Sequence, residues 1–436
     1  MKKIILRLFF PFLFVLLLAG CKKEKSRGPL PGHEPAAIPA APQYTAVIDT
    51  SVPPLRVEIE KALADSSQVR LSEVASRIDY YPAGDERYPV RQVEAISEGL
   101  ITFSDPRTYL SRTPGKKRKR IGFKAAIPTI GHTATGRSFY YDPQTTRLHY
   151  LLNYHGEKIE DDRLYIAVIP PLDSMLLRTK YLFPDSVPDR YYLRVKEPLL
   201  DFTASGYTLR SRHPRHGMPD GVVTFNLRGD TLCRFPVGVD TLPEDVHPSH
   251  FKGLFFTAYR FEDRLTFKLY FCDTVYRLSP PDTIRAAYAL DWGKHRASAA
   301  QRLTNTELIG KTWLQSFVES PAALFMGVFK KGLEPGEGWL DEPADPASMS
   351  ARRRVVYLKE KRQTVALPSG WDGLQNDLDG GLPFWPDGHT GGILYMVRSA
   401  GALRAYFREP GRTCPPALKD LLDKLQKDQL VMITAR

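Results

Sequence analysis

The stretch that most constrains the fold is residues 254–295, because it contains four strand-like runs in succession. Apolar and polar residues alternate over residues 255–260 and again over 265–271, which is the period of a half-buried strand. Residues 274–278 and Thr283–Asp291 supply two more runs, and turn-forming residues separate all four. Four short antiparallel strands joined by tight turns are the blade of a β-propeller.

Similar strand-like runs recur through the rest of the chain, each bounded by Gly, Pro, Asn or Asp. They are residues 77–81, 99–103, 138–141, 147–154, 164–169, 221–227, 231–237, 354–358 and 393–397. A single sandwich or barrel rarely exceeds about 250 residues, whereas this chain has 436. The sequence therefore predicts an all-β fold of the β-propeller type, although strand spacing does not fix the number of blades.

The C-terminal end of the chain predicts one short helix followed by a strand. Leu418, Leu421, Leu422 and Leu425 recur at helical spacing after two prolines that suit a helix start. Residues 430–433 then read as a buried strand. We expect this terminal strand to pair with a strand from the beginning of the domain, which would leave no open edge.

Residues 1–20 have the pattern of a secretory signal peptide. A basic start precedes the apolar run of residues 8–18. Leu18, Ala19, Gly20 and Cys21 then resemble the lipobox of bacterial lipoproteins. The resemblance implies cleavage before Cys21 and attachment of lipid to that cysteine. A transmembrane anchor is the alternative, but the run is shorter than the roughly 20 residues that span a bilayer.

Residues 21–54 are predicted to be the lipidated cysteine and a proline-rich tether, and residues 55–436 the propeller domain. Seven prolines between residues 29 and 54 favour an extended spacer. The sequence predicts a protein held at the outer membrane by its lipid anchor. Lys22, Lys23 and Glu24, which follow the lipid site, leave open whether the protein faces the periplasm or the cell surface.

Three stretches together resemble a family of Bacteroidota envelope lipoproteins with six-bladed β-propellers and no agreed reaction. They are residues 69–82 at the domain start, residues 271–278 in the blade unit, and residues 290–293 after it. The helix and apolar strand at the C-terminus also match. The resemblance implies six blades, each a four-stranded antiparallel meander, and a location in the cell envelope.

The formal charge of +12 favours acidic partners over basic ones. Acidic glycans, phosphorylated lipid headgroups and nucleic acids all fit a positive protein. A lipoprotein outside the cytoplasm rarely meets nucleic acid, so we predict no nucleic-acid partner. The densest basic run, residues 116–120, is predicted to be a solvated loop, with contact to an anion as the alternative.

The cysteines and acidic turns do not predict a metal or cofactor site. Cys233, Cys272 and Cys414 lack the CxxC spacing of zinc ligands, and one disulfide among them stays open. Asp377 and Asp379 suggest a calcium loop, but Pro386 stands where the bidentate glutamate is expected. We therefore predict a turn there, with no metal and no cofactor.

Two pairs of histidines have a spacing of three residues. They are His213 with His216 and His247 with His250, and their proline-containing surroundings indicate loops rather than the helix that would aim both rings at a metal.

Three aromatic residues, Trp371, Phe384 and Trp385, lie in the Gly- and Asp-rich stretch of residues 370–392. Aromatic side chains among polar groups suit stacking on a sugar ring or anchoring a protein partner. Packing of this loop against a blade is the favoured alternative. These residues are the ligand-contact candidates that the sequence offers.

The sequence favours a non-catalytic binding or interaction module, tethered to the envelope, for a glycan or a protein partner. No catalytic residue is predicted, since neither a GxSxG elbow nor an HExxH helix is present. The alternative is a propeller hydrolase or lyase with a site at the mouth of the channel. Such a site would draw residues from several blades, so spacing in the sequence would not reveal it.

Overall fold

The computed structural model describes most of the chain beyond residue 42. The described residues are 43–85, 90–96, 99–104, 107–111, 119–121, 135–142, 147–154, 163–169, 199–203, 206–211, 221–226, 231–235, 257–262, 264–269, 272–296, 311–330 and 352–436. The predicted signal peptide, Cys21 and residues 21–42 of the predicted tether lie outside them, as do both histidine pairs.

The described residues form mainly β-strands with a few short helices. The strands, in chain order, are β1 (Val47–Asp49), β2 (Leu55–Glu58), β3 (Ile78–Asp85), β4 (Val90–Ile96), β5 (Gly99–Ser104), β6 (Arg107–Ser111), β7 (Lys119–Ile121), β8 (Thr135–Asp142), β9 (Arg147–Tyr154), β10 (Arg163–Ile169), β11 (Leu199–Thr203), β12 (Gly206–Ser211), β13 (Gly221–Asn226), β14 (Thr231–Phe235), β15 (Thr257–Phe261), β16 (Arg264–Lys268), β17 (Thr274–Ser279), β18 (Thr283–Asp291), β19 (Thr312–Glu319), β20 (Ala323–Lys330), β21 (Arg352–Leu358), β22 (Gln363–Ala366), β23 (Gly388–Thr390), β24 (Ile393–Ser399) and β25 (Gln429–Ala435). The helices are α1 (Ile59–Ala64), α2 (Ala400–Arg408) and α3 (Pro416–Leu422), with 3-10 turns at Leu71–Glu73 and Gly293–His295.

These strands build six sheets within the described residues. Sheet 1 contains β4–β7, sheet 2 β8–β10, sheet 3 β11–β14, sheet 4 β15–β18, sheet 5 β19–β22, and sheet 6 β23–β25 with β3. Strands that follow one another in the chain pair in antiparallel fashion, because short turns join them. The prediction of an all-β fold is confirmed.

Sheet 4 lies within residues 254–295, and the four strands predicted there are present. Phe267 of β16 lies opposite both Ala258 of β15 and Tyr276 of β17. Glu262 closes the turn between β15 and β16 with a left-handed backbone (φ 51°). On the outer edge, β1 and β2 both pair in parallel with β18. The strand β1 lies within the range that the sequence assigned to the tether.

Sheet 6 contains both the last strand of the chain and an early strand. The terminal strand β25 pairs with β3, with Ile433 opposite Tyr80, so the predicted pairing of the last strand with an early one is confirmed. Helix α3 begins with Pro416 and buries Leu418 and Leu422, as the leucine spacing predicts. Helix α2 was not predicted from the sequence, and its first turn is capped by Ser399 through a hydrogen bond from the Ala402 amide (3.2 Å).

An N-terminal strap, residues 44–85, crosses the outer strands of four sheets. The Tyr44 amide donates to the Leu232 carbonyl of β14 in sheet 3 (2.7 Å). After pairing with β18, the strap donates from the Glu58 amide to Thr364 Oγ1 of β22 (3.0 Å). It then enters sheet 6 as β3. The strap therefore covers backbone edges that would otherwise be open.

Sheet 5 buries both of its faces, which positions the candidate site. Side chains of alternate residues point to opposite faces of a strand. Phe317 and Tyr357 pack with Tyr288 of sheet 4 in one apolar cluster. Val318 and Phe325 pack with Trp385, in the segment that leads to β23, in another. Glu319, two residues after Phe317, thus belongs to the face directed at sheet 4.

Candidate functional site

A buried carboxylate, Glu319, lies at the end of β19, between sheet 5 and sheet 4. Its side chain is 0 % exposed. Glu319 stands two residues after Phe317 and lies on the same face of the strand. The alternation that buries the phenylalanine side chain therefore also buries the carboxylate. Burying an unpaired carboxylate costs several kcal/mol, so Glu319 needs partners that compensate its charge.

Four side chains from two sheets donate hydrogen bonds to Glu319. Tyr259 Oη donates to Oε2 (2.7 Å). Three groups donate to Oε1: Tyr288 Oη (2.5 Å), Arg277 Nη2 (2.5 Å) and Lys359 Nζ (2.7 Å). Tyr259, Arg277 and Tyr288 lie on β15, β17 and β18 of sheet 4, whereas Lys359 follows β21 of sheet 5. These five residues are called the Glu319 cluster.

An aromatic ring and a histidine border the Glu319 cluster. Both cations contact the Phe261 ring, with Lys359 Nζ 4.1 Å and Arg277 Cζ 4.6 Å from its centroid. The His389 ring of β23 packs against the Phe261 ring in a tilted arrangement, with a centroid separation of 6.3 Å. Residues of sheets 4, 5 and 6 therefore meet at this point.

Burial shifts the pKa values of the ionisable groups around Glu319. Desolvation, reinforced by the carboxylate, raises the pKa values of the Tyr259 and Tyr288 hydroxyls, so both stay protonated and donate. Desolvation lowers the pKa of Lys359, which Glu319 partly offsets. Desolvation also lowers the pKa of His389 to about 4, so this ring is neutral at pH 7.

The arrangement suits charge pairing better than proton transfer. Both oxygens of Glu319 already accept hydrogen bonds, three of them on Oε1. The carboxylate would have to break one of these bonds to act as a general base. The side chains of Arg277 and Lys359 are 14 % and 16 % exposed, so both cationic side chains stay partly accessible to solvent.

The aromatic candidates from the sequence do not contribute to this cluster. Phe384 is 0 % exposed and Trp385 5 %, and both belong to the apolar core of sheets 5 and 6. Trp385 packs edge-on against Phe325 (5.6 Å between centroids) and lies under Arg354. Trp371 is partly buried against the same core. The packing alternative therefore describes Phe384 and Trp385, because buried rings offer no face to a sugar.

The acidic turn at Asp377 and Asp379 fastens the N-terminal strap. Asp377 accepts hydrogen bonds from the Ser72 amide (2.9 Å) and hydroxyl (2.6 Å). Asp379 accepts one from Tyr80 Oη (2.5 Å). In the described part of the chain, no three His, Cys, Asp or Glu residues converge as metal ligands. The turn predicted from the sequence is thus a structural contact between distant segments.

Three of the four cysteines fall in the described residues, and all three are free thiols. Cys233 is buried among apolar side chains. Cys272 and Cys414 are partly buried. The disulfide that the sequence left open is therefore absent among these three residues.

None of the residues of the Glu319 cluster was predicted as a site from the sequence. One local signal for Glu319 is present, since this charged residue stands two positions after Phe317 and so shares a strand face with an aromatic residue. Lys359 stands in the same relation to Tyr357. The pairing between them is a tertiary feature that spacing does not encode.

The fold and the site together define a class: an all-β protein of antiparallel sheets with a buried ionic cluster between two of them. The sequence matches the family described as a domain of unknown function, DUF4933, over residues 39–409. The chain belongs to this family. Among curated proteins, none matches the sequence.

Two solved structures are similar to the chain at low identity. One is the extracellular domain of a one component system, BT4673, from B. thetaiotaomicron, with 12 % identity, a TM-score of 0.31, and coverage of 66 % of this chain and 34 % of that one. The other is a Mycobacterium tuberculosis puromycin-hydrolyzing peptidase, with 12 % identity, a TM-score of 0.30, and coverage of 77 % and 52 %. The chain thus spans about a third and about a half of these proteins.

Proposed function

We propose that the chain is a lipid-anchored protein of the bacterial cell envelope that binds a glycan or a protein partner without catalysing a reaction. The observation that carries the binding role is the Glu319 cluster. Its carboxylate is committed to four hydrogen bonds, while its two cationic side chains stay partly accessible to solvent. Fixed charges of this kind recognise a ligand by complementarity.

The proposed shape is a six-bladed propeller with the six sheets as blades. Contacts between the first strands of neighbouring sheets support it. They join β8 to β11, β11 to β15, β19 to β23, and β23 to β4. The last of these contacts joins sheet 6 to sheet 1, as a closed ring requires. The pairing of β3 with β25 supports the same closure.

The proposed location rests on the sequence of the N-terminus, above all on Leu18, Ala19, Gly20 and Cys21. In the described residues, no helix has the length and apolar character to cross a bilayer. The proposed membrane attachment is lipid on Cys21. We expect acyl mass on the wild-type N-terminus, and release or incomplete processing of Cys21→Ser. Membrane retention of both proteins without acyl mass would contradict the anchor.

The binding role is tested on the full-length chain purified in detergent. A pull-down from envelope extracts, a glycan array, and a panel of hydrolase and lyase substrates are run in parallel. We expect a saturable ligand and no turnover. Turnover of a substrate without any bound partner would favour the hydrolase or lyase alternative and contradict the proposed function.

A further inference from the structure

The Glu319 cluster holds more positive charge than its carboxylate can neutralise. Arg277 and Lys359 bring two positive charges to the single carboxylate of Glu319. Among the described residues, Glu262 is a second carboxylate that acts on Lys359, and it is exposed. Solvent screens an exposed charge much more than a buried one. The buried part of the cluster therefore keeps a surplus of positive charge.

Three polar atoms around the cluster are buried without a hydrogen-bond partner in the described structure. They are Thr266 Oγ1, Arg277 Nε and His389 Nε2. Thr266 is 0 % exposed and lies directly opposite both Tyr259 and Arg277, so its hydroxyl shares their face of sheet 4. Buried polar atoms in folded proteins nearly always have a partner from the chain, from water or from a ligand.

These atoms are suited to an oxyanion. Arg277 Nε can only donate a hydrogen bond, and the Thr266 hydroxyl can donate one as well. Neutral His389 can donate through Nε2 when its other ring nitrogen carries no proton. The planar guanidinium of Arg277 matches the two oxygens of a carboxylate in geometry, and Lys359 adds a point charge.

We propose that Arg277 and Lys359 of the Glu319 cluster bind the carboxylate of an acidic sugar, together with the His389 ring and the Thr266 hydroxyl. The inference rests on the proposed binding function and names its ligand class. A sugar is favoured over a protein partner because only 14 % and 16 % of the two cationic side chains are exposed. A specific protein interface buries about 800 Å² on each partner, whereas one carboxylate needs only a narrow opening.

The first experiment compares two probes that differ in charge. Isothermal titration of the full-length chain in detergent uses a galacturonic acid trimer and a neutral galactose trimer. We expect saturable binding of the acidic trimer, no binding of the neutral one, and weaker binding at higher salt. The inference is overturned if the acidic trimer does not bind.

The second experiment compares two lysines that are two residues apart. Lys359→Gln removes a cluster cation, and we expect the affinity for the acidic trimer to fall at least tenfold. Lys361→Gln is the matched control, since Lys361 is 55 % exposed and pairs with Glu73 outside the cluster. Equal losses in both variants would show non-specific attraction to a basic protein and would overturn the site.

Thr266→Val keeps the experiment decisive if Lys359→Gln does not fold. Valine replaces the unpartnered hydroxyl with a methyl group of similar size, so we expect a folded protein by near-ultraviolet circular dichroism. We expect its affinity for the acidic trimer to fall several-fold. Unchanged affinity in Thr266→Val overturns the proposed contact.

The outcomes separate this inference from the proposed function. A glycan ligand whose affinity is unchanged in Lys359→Gln would leave the binding function intact and exclude this site. If Lys359→Gln loses a protein partner and the wild-type chain does not bind the acidic trimer, the bound carboxylate belongs to a protein and a sugar ligand is excluded. Turnover without a bound ligand would contradict the proposed function itself.

Discussion

The two faces of sheet 5 contact their neighbours through different chemistry. The face directed at sheet 6 is apolar, and Phe325 packs edge-on against Trp385 there. The face directed at sheet 4 is also largely apolar but ends in the Glu319 cluster, where one carboxylate accepts four hydrogen bonds. The same strands thus make apolar contacts on one side and a network of mutually dependent ionic contacts on the other.

The two faces of sheet 5 should respond differently to amino-acid substitution. Apolar contacts are lost roughly in proportion to the atoms removed. An ionic network loses more, because removing one partner leaves the others buried and unpaired. Conservative substitutions on the two faces should therefore have unequal effects on the free energy of unfolding.

The largest effect is expected for Glu319→Gln. The amide has nearly the shape of the carboxylate, but it leaves Arg277 and Lys359 without a buried counter-charge. We expect a loss of about 3–5 kcal/mol in the free energy of unfolding, measured by denaturant titration of the full-length chain. Glu360→Gln is the control, since Glu360 is exposed in the turn after β21. Similar losses in both variants would contradict the ionic role.

The second effect is a dependence of stability on pH through His389. Its pKa falls from 6.5 to about 4 in the folded chain, where Glu319 opposes the shift and Lys359 reinforces it. The unfolded chain therefore binds a proton first as the pH falls, and stability is lost between about pH 6.5 and 4. The loss is on the order of 3 kcal/mol. We expect His389→Gln to remove this part of the profile, and an unchanged profile would refute the assignment.

The third effect concerns the apolar face. Phe325→Leu removes the edge contact with Trp385 while keeping the site apolar, and we expect a loss of about 1–2 kcal/mol. Thermal and denaturant unfolding of this variant and of Glu319→Gln should be measured side by side. If Phe325→Leu lowers the free energy of unfolding as much as Glu319→Gln does, the distinction between apolar packing and a network of ionic contacts is refuted.

The smallest effect is expected at an exposed ion pair. Lys361 Nζ lies 2.6 Å from Glu73 Oε2 and joins sheet 5 to the N-terminal strap. Because the lysine side chain is 55 % exposed, Lys361→Gln should change the free energy of unfolding by only about 0–1 kcal/mol. A larger loss would indicate that surface pairs on the strap stabilise the fold as strongly as the buried cluster.

The sequence predicted the local elements of this fold well. The alternation over residues 255–260 and 265–271 matches β15 and β16, because half-buried strands require that period. The pairing of the last strand with an early one was also predictable, since an open edge is unfavourable. The helix α2 was missed although Ala400, Leu403 and Phe407 recur at helical spacing after the cap residue Ser399, so this local signal was present in the sequence.

The candidate site was beyond prediction from spacing. Tyr259, Arg277, Tyr288, Glu319 and Lys359 are spread over a hundred positions of the chain. The aromatic candidates Phe384 and Trp385 were conspicuous in the sequence, but the core covers them. A loop composition that suggests exposure does not determine whether the loop packs against a sheet.

Antiparallel strands were predictable from the sequence, because the two-residue alternation and the turn residues act over neighbouring positions. The N-terminal pattern from which the lipid anchor is proposed is also a local feature of the sequence. Which buried charges meet depends instead on the tertiary structure. A carboxylate can stay buried beside Phe317 only where cations and hydroxyls from another sheet surround it, and that depends on how the sheets pack.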